Sequence, residues 1–121
     1  MAALIVIGCG ASQSAPLSES AAYGKDLFDE TSLAGNAGCI TCHSLTPEKD
    51  LVGPSMAGIG SRAGQRQPGV AAGEYIRTSI VAPDTFVVPG FDDNKMPKNW
   101  GEVLSEAEIQ ALVDYLLTVI E

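Results

Sequence analysis

Two cysteines and the only histidine of the chain fall within five consecutive residues, Cys39-Ile40-Thr41-Cys42-His43. A C-x-x-C-H run is the pattern of covalent haem attachment. Two intervening residues let one turn of backbone present both sulfurs to a pair of vinyl groups, and the next imidazole then points at the iron. A chain of 121 residues buries only a modest core, and a large internal cofactor adds apolar contact that side chains alone do not supply. Two other readings of paired cysteines fit less well. A thioredoxin-like dithiol expects a strand before the motif and a sheet around it, and no such pattern precedes Cys39. Structural zinc needs four ligands, whereas Cys39, Cys42 and His43 give three and no second histidine exists.

Iron held by His43 needs a sixth ligand or keeps an open position. The internal candidates are Met56, Met96 and Lys95. Met96 lies in Asn94-Lys95-Met96-Pro97, inside a long loop over residues 84–101 and far enough along the chain to close over the opposite haem face. Pro97 removes a backbone donor and stiffens the loop beside the sulfur. Met56 reads as core filler in a short helical turn over Ser55 to Ser61, and Lys95 would have to lose its proton before coordinating.

The rest of the chain reads as helices joined by turns. Glycine and proline together make 20 of 121 residues (13 and 7) and aromatics only 6%, which favours short helices over a sheet. A first helix is expected from Ser20 to Thr31, with Tyr23, Leu27 and Phe28 near one face and Gly24 permitting close approach of a neighbour. Residues 33–38 form a turn-rich lead into Cys39, and Arg62 to Gly69 a turn-rich connection. A further helix spans Ala71 to Val81 and stops at Pro83. The last helix is announced by Ser105 as N-cap with Glu108 three residues later, and by Leu104 positioned to pack on Ile109. Ile109, Leu112, Val113, Leu116 and Ile120 then follow a 3.6-residue period.

Seven Lys+Arg against 15 Asp+Glu leave a formal charge of −8. That balance repels nucleic acid and anionic lipid and favours a basic protein partner. The odd third cysteine, Cys9, argues against a pure disulfide framework. It ends the apolar run of residues 1–9, and Val6-Ile7-Gly8-Cys9 resembles a bacterial lipobox in which the cysteine is acylated. Residues 1–19 then read as apolar segment and tether, and residues 20–121 as the folded domain. About 20 apolar residues would be needed to span a bilayer, and this run is too short.

With these landmarks in place, residues 20–120 resemble a monohaem class I cytochrome c. The matching positions are Gly24 and Phe28, Cys39-Ile40-Thr41-Cys42-His43, Gly53-Pro54, Lys95-Met96-Pro97, and Leu112 with Tyr115. The resemblance implies an all-α fold with crossed N- and C-terminal helices, short intermediate helices and one covalently bound haem c. It implies that the Pro54 carbonyl accepts the second ring N–H of His43, and that Arg62, Tyr75 and Trp100 bind or shield the haem propionates. The stretches Ser79 to Asp84 and Lys98-Asn99-Trp100 resemble cytochrome domains of bacterial respiratory or photosynthetic membrane complexes. The expected role is a one-electron carrier, not an enzyme, lipid-anchored at the periplasmic face of a bacterial membrane. Its partners are then redox proteins with a basic docking patch or a membrane electron-transfer complex. A haem enzyme or gas sensor with a labile sixth ligand, and a mainly structural haem subunit, are the competing expectations.

Overall fold

The computed structural model describes residues 16–92 and 95–121. Cys9 and its lipobox-like context lie outside the described residues. Six α-helices and one two-stranded hairpin appear among them: α1 Glu19–Asp29, β1 Ser32–Leu33, β2 Asn36–Ala37, α2 Cys39–Cys42, α3 Ile59–Arg62, α4 Ala72–Val81, α5 Trp100–Val103 and α6 Glu106–Leu117. Short 3-10 turns follow α3 at Ala63–Gln65 and α4 at Pro83–Thr85.

α1 starts where Ser18 turns its hydroxyl back to accept from the Ala21 N–H at 3.1 Å, satisfying one of the orphan donors of the first turn. α6 starts with both halves of a capping box: the Ser105 hydroxyl accepts from the Glu108 N–H at 3.1 Å, and the Glu108 carboxylate accepts from the Ser105 N–H at 2.8 Å. Leu104 before the cap and Ile109 after it are both buried in the core.

The most extensive contact between elements is α1 against α6. At its centre Gly24 lies so close to α6 that a Cβ there would come within 1.8 Å of the Ala111 carbonyl oxygen and 2.9 Å of Tyr115 Cβ. One turn on, Phe28 packs on Tyr115 with ring centroids 5.7 Å apart, within the range of favourable aromatic pairs. Ser20 Oγ donates to Asp114 Oδ2 at 2.6 Å across the same interface. α4 and α3 pack on the other side of α6, and the core is continuous from Leu27 and Phe28 through Ile76 and Ile80 to Leu112 and Leu116.

Several expectations are corrected. Tyr23 is exposed, not on the buried face, and its hydroxyl reaches Glu108 Oε2 at 3.4 Å. Met56 is not in a helix: α3 begins at Ile59, because Gly58 takes φ +72° and interrupts the turn before it. Ile120 falls beyond the end of α6 and is 63% exposed. The chain before Cys39 forms a hairpin pairing Ser32 with Ala37 and Leu33 with Asn36. Its two-residue turn sets Ala34 at φ +49° and Gly35 at φ +86°, the mirror-image geometry that joins adjacent strands tightly. Alanine rarely adopts positive φ, so the sequence carries little sign of this turn. The expected loop over 84–101 ends earlier, at the start of α5, whose first residue Trp100 is buried.

Candidate functional site

α2 is a single turn, and its role is to aim side chains. Gly38 precedes it with its carbonyl accepting from Thr41 Oγ1 at 2.6 Å, and the His43 N–H closes the turn on the Cys39 carbonyl at 2.9 Å. Cys39 and Cys42 are not disulfide-bonded, and both line one cleft. His43 leaves the helix in extended conformation and lines the same cleft.

The segment that fixes the histidine runs alongside it. Gly53 N–H donates to the Cys42 carbonyl at 2.9 Å, and Met56 N–H to the Ser44 carbonyl at 2.8 Å. Between these two bonds, His43 Nδ1 donates to the Pro54 carbonyl oxygen at 2.8 Å. A carbonyl only accepts, so this bond places the proton on Nδ1 and leaves the Nε2 lone pair for a ligand. Gly53 lies flat against the ring: a Cβ would come within 2.4 Å of His43 Cε1. Two buried serines hold the intervening loop, Ser44 Oγ donating to the Lys49 carbonyl and Ser55 Oγ to the Thr46 carbonyl, each at 2.6 Å.

A further stretch of the lining comes from the segment that carries Met96. Met96 is half-buried and lines the cleft together with Lys95 and Pro97. The segment is tied down by the Lys98–Asp84 ion pair at 2.8 Å and by Asn36 Nδ2 donating to Asn99 Oδ1 at 2.7 Å. Tyr75 from α4 and Trp100 from α5 are buried and line the cleft, and Tyr75 meets Phe86 edge-on with centroids 5.8 Å apart. Among the described residues, Arg62 is the one expected haem-site residue that does not line the cleft. Its guanidinium donates to the Ser55 carbonyl at 2.7 Å and to the Ala57 carbonyl, and it borders an adjoining pocket instead. Arg66, which sequence reasoning passed over, lines both. Nothing in its local sequence marks it, since it sits in a turn among polar residues.

The cleft is partly open to the surface. Apart from the rim its walls are apolar, with Ile59, Ile76, Ile80, Leu112 and Leu116 at the base. Burial pushes the Cys39 thiol up to about 11. A thiolate, which zinc binding or dithiol exchange requires, is disfavoured in such a place, whereas an uncharged thioether is not. Burial also holds the His43 imidazole below its ordinary value, against the opposing effect of the Pro54 hydrogen bond, which keeps it neutral and able to ligate. These residues therefore fit a haem.

A model of the family described as cytochrome c matches residues 21–119, and the chain belongs to that family: it is a class I monohaem cytochrome c. Among curated relatives, "Cytochrome c2 iso-1" of Magnetospirillum fulvum is 29% identical over 92 residues, covering 67% of this chain and 90% of the relative. The protein of the same description from Magnetospirillum molischianum is likewise 29% identical over 92 residues, covering 67% and 89%. Among solved structures, the c-type cytochrome SorU from Sinorhizobium meliloti is 25% identical, with a TM-score of 0.49 over 84% of this chain and 92% of that one. Family membership implies a haem c cofactor and makes the chain a one-electron carrier, passing electrons between redox partners rather than catalysing a reaction.

Proposed function

We propose that Cys39 and Cys42 bind one haem c through two thioethers, that His43 Nε2 and Met96 Sδ are the axial ligands, and that the protein carries electrons at the outer face of a bacterial membrane. Bound there, the haem supplies a one-electron Fe(III)/Fe(II) couple. The observation that carries this reading is a single cleft lined by two unpaired cysteines, a histidine whose Nδ1 is already committed to Pro54, and Met96 on a pinned segment.

The chain's own groups then have distinct tasks. Pro54 fixes the tautomer and plane of His43 and raises its donor strength. Met96 would offer its thioether to the iron, and thioether ligation with apolar burial would raise the reduction potential by favouring the ferrous state. Tyr75 and Trp100 wall the cofactor and keep water from it. Held between two tied segments, the ligands move little when the charge changes, so little reorganisation opposes transfer.

The relatives' description as cytochromes c2, together with the chain's own patterning, supports service between respiratory or photosynthetic membrane complexes. The charge of −8 supports a partner with a basic docking patch. The lipobox-like run ending in Cys9 supports an acylated N-terminus and a periplasmic setting; no helix among the described residues is long and apolar enough to cross a membrane. The purified holoprotein tests the ligand set directly. Carbon monoxide should fail to bind the reduced protein, and the near-infrared methionine–iron band should be present in the oxidised one. Ready carbon monoxide binding without that band would favour a haem enzyme or sensor instead. Globomycin-sensitive processing and a diacylglycerol mass on Cys9 test the anchor; an unmodified Cys9 in membrane-free protein would refute it.

A further inference from the structure

The hairpin ahead of the cysteine pair is held in a conformation that its sequence does not favour. Ala34 sits at φ +49°, a region unfavourable for a residue that carries a Cβ, and such strain persists only where the surroundings over-determine it. Here Leu33 is buried in the core, and the Gly38 N–H donates to the Thr31 carbonyl at 2.9 Å. Seated in this way, the hairpin presents Asn36, whose Nδ2 donates to Asn99 Oδ1 at 2.7 Å across 63 positions of chain. Asn99 stands three residues after Met96 and directly before α5, whose Trp100 is buried. Ala37 and Gly38, between Asn36 and Cys39, line the cleft, as do Met96 and Pro97. One side-chain bond therefore joins the segment that leads into the attachment motif to the segment that carries the methionine.

The other tie on that segment is of a different kind. The Lys98–Asp84 ion pair has half of each side chain exposed (50% and 51%), and such pairs contribute little and weaken with salt. The Asn36–Asn99 bond is uncharged and partly buried, so salt does not screen it. We infer that Asn36 is a positioning residue for Met96: its bond to Asn99 holds the segment down and sets how often the methionine sulfur leaves the haem iron. The inference rests on the ligand set proposed above. A vacant axial position would admit foreign ligands, so the bond keeps the protein a carrier rather than a ligand-binding haem protein.

Imidazole binding to the oxidised holoprotein tests this, because at high imidazole the observed rate levels off at the rate of methionine departure. Asn36→Ala should raise that limiting rate about fivefold, the size of one uncharged hydrogen bond, at low and at high salt. Asn99→Ala should raise it as well, and the double variant should be no faster than Asn99→Ala, since both substitutions remove the same bond. Ser20→Ala is the control. It deletes another partly buried hydrogen bond, from Ser20 Oγ to Asp114, and should lower the unfolding midpoint while leaving the limiting rate unchanged. A limiting rate in Asn36→Ala equal to that of the unaltered chain, or matched by Ser20→Ala, would overturn the assignment, as would multiplying effects in the double variant. If Asn36→Ala gives no holoprotein, Asn36→Thr, which suits a strand and lacks the amide, is read in the same way. In the unaltered oxidised protein, a rate that climbs with imidazole without levelling off, together with no methionine–iron band, would refute the Met96 ligand itself instead.

Discussion

Gly53 shows how a single residue limits the site. A methyl group there would meet the His43 ring at 2.4 Å, and the ring is held by its bond to Pro54, so neither side yields easily. Gly53→Ala should therefore cost about 1–3 kcal/mol by overpacking, seen as a lower midpoint in denaturant unfolding, with altered haem absorbance because the imidazole is displaced. Met96→Ala leaves the attachment intact but opens the iron. It should lower the midpoint potential and admit carbon monoxide, as redox titration and absorption spectra of the variant would record; an unaltered potential would count against the methionine as ligand. At this scale the sequence was most legible where chemistry demands particular atoms in a fixed spacing, as at Cys39, Cys42 and His43. It was least legible where position depends on how distant segments meet. Arg62 and Arg66 are both arginines in one turn-rich stretch, yet one is bound to backbone carbonyls and the other lines the cleft.

At the scale of elements, the crossing of α1 and α6 organises the fold, and Gly24 permits it. Gly24→Ala forces a Cβ into the Ala111 carbonyl and should destabilise by about 1–3 kcal/mol, measurable as a drop in Tm of the holoprotein. Removing the cap by Ser105→Ala should cost about 0.5–2 kcal/mol. The Glu108 half of that cap has a pH signature. The Ser105 N–H holds its carboxyl below the ordinary value, so its contribution is present above the unfolded-state pKa and is lost as pH falls through the lower folded value. Unfolding of Glu108→Gln should show a weaker dependence on pH through that acid range than the unaltered chain.

Elements with local rules were readable: the capping box, the stop at Pro83, the periodic face of α6. Those set by tertiary context were not. The hairpin turn needs Ala34 in a conformation that alanine disfavours, and α5 is a single turn whose burial of Trp100 has no periodic signal. Ile120 fits the apolar period of α6, but the helix ends at Leu117 and leaves it in water.

For the molecule as a whole, charge decides encounter. A net charge of −8 should make electron exchange with a basic redox protein fast at low salt and slower as ionic strength rises, because screening removes the steering. Stopped-flow rates at several salt concentrations check this, and with an acidic partner the trend should reverse. The class of the protein was legible from one five-residue run because that spacing of two cysteines and a histidine is specific to one kind of site. What surrounds that run, from the pinning of Met96 by Asn99 and Lys98 to the serine-braced loop at residues 44–55, became visible only when the segments were placed together.

The central claim is that a haem is bonded to both cysteines of α2. Mass spectrometry of the denatured, protease-digested native protein measures this most directly. The account predicts one haem retained on the peptide spanning residues 39–43, with neither thiol open to alkylation. A peptide of unmodified mass, with Cys39 and Cys42 both alkylated, would contradict it.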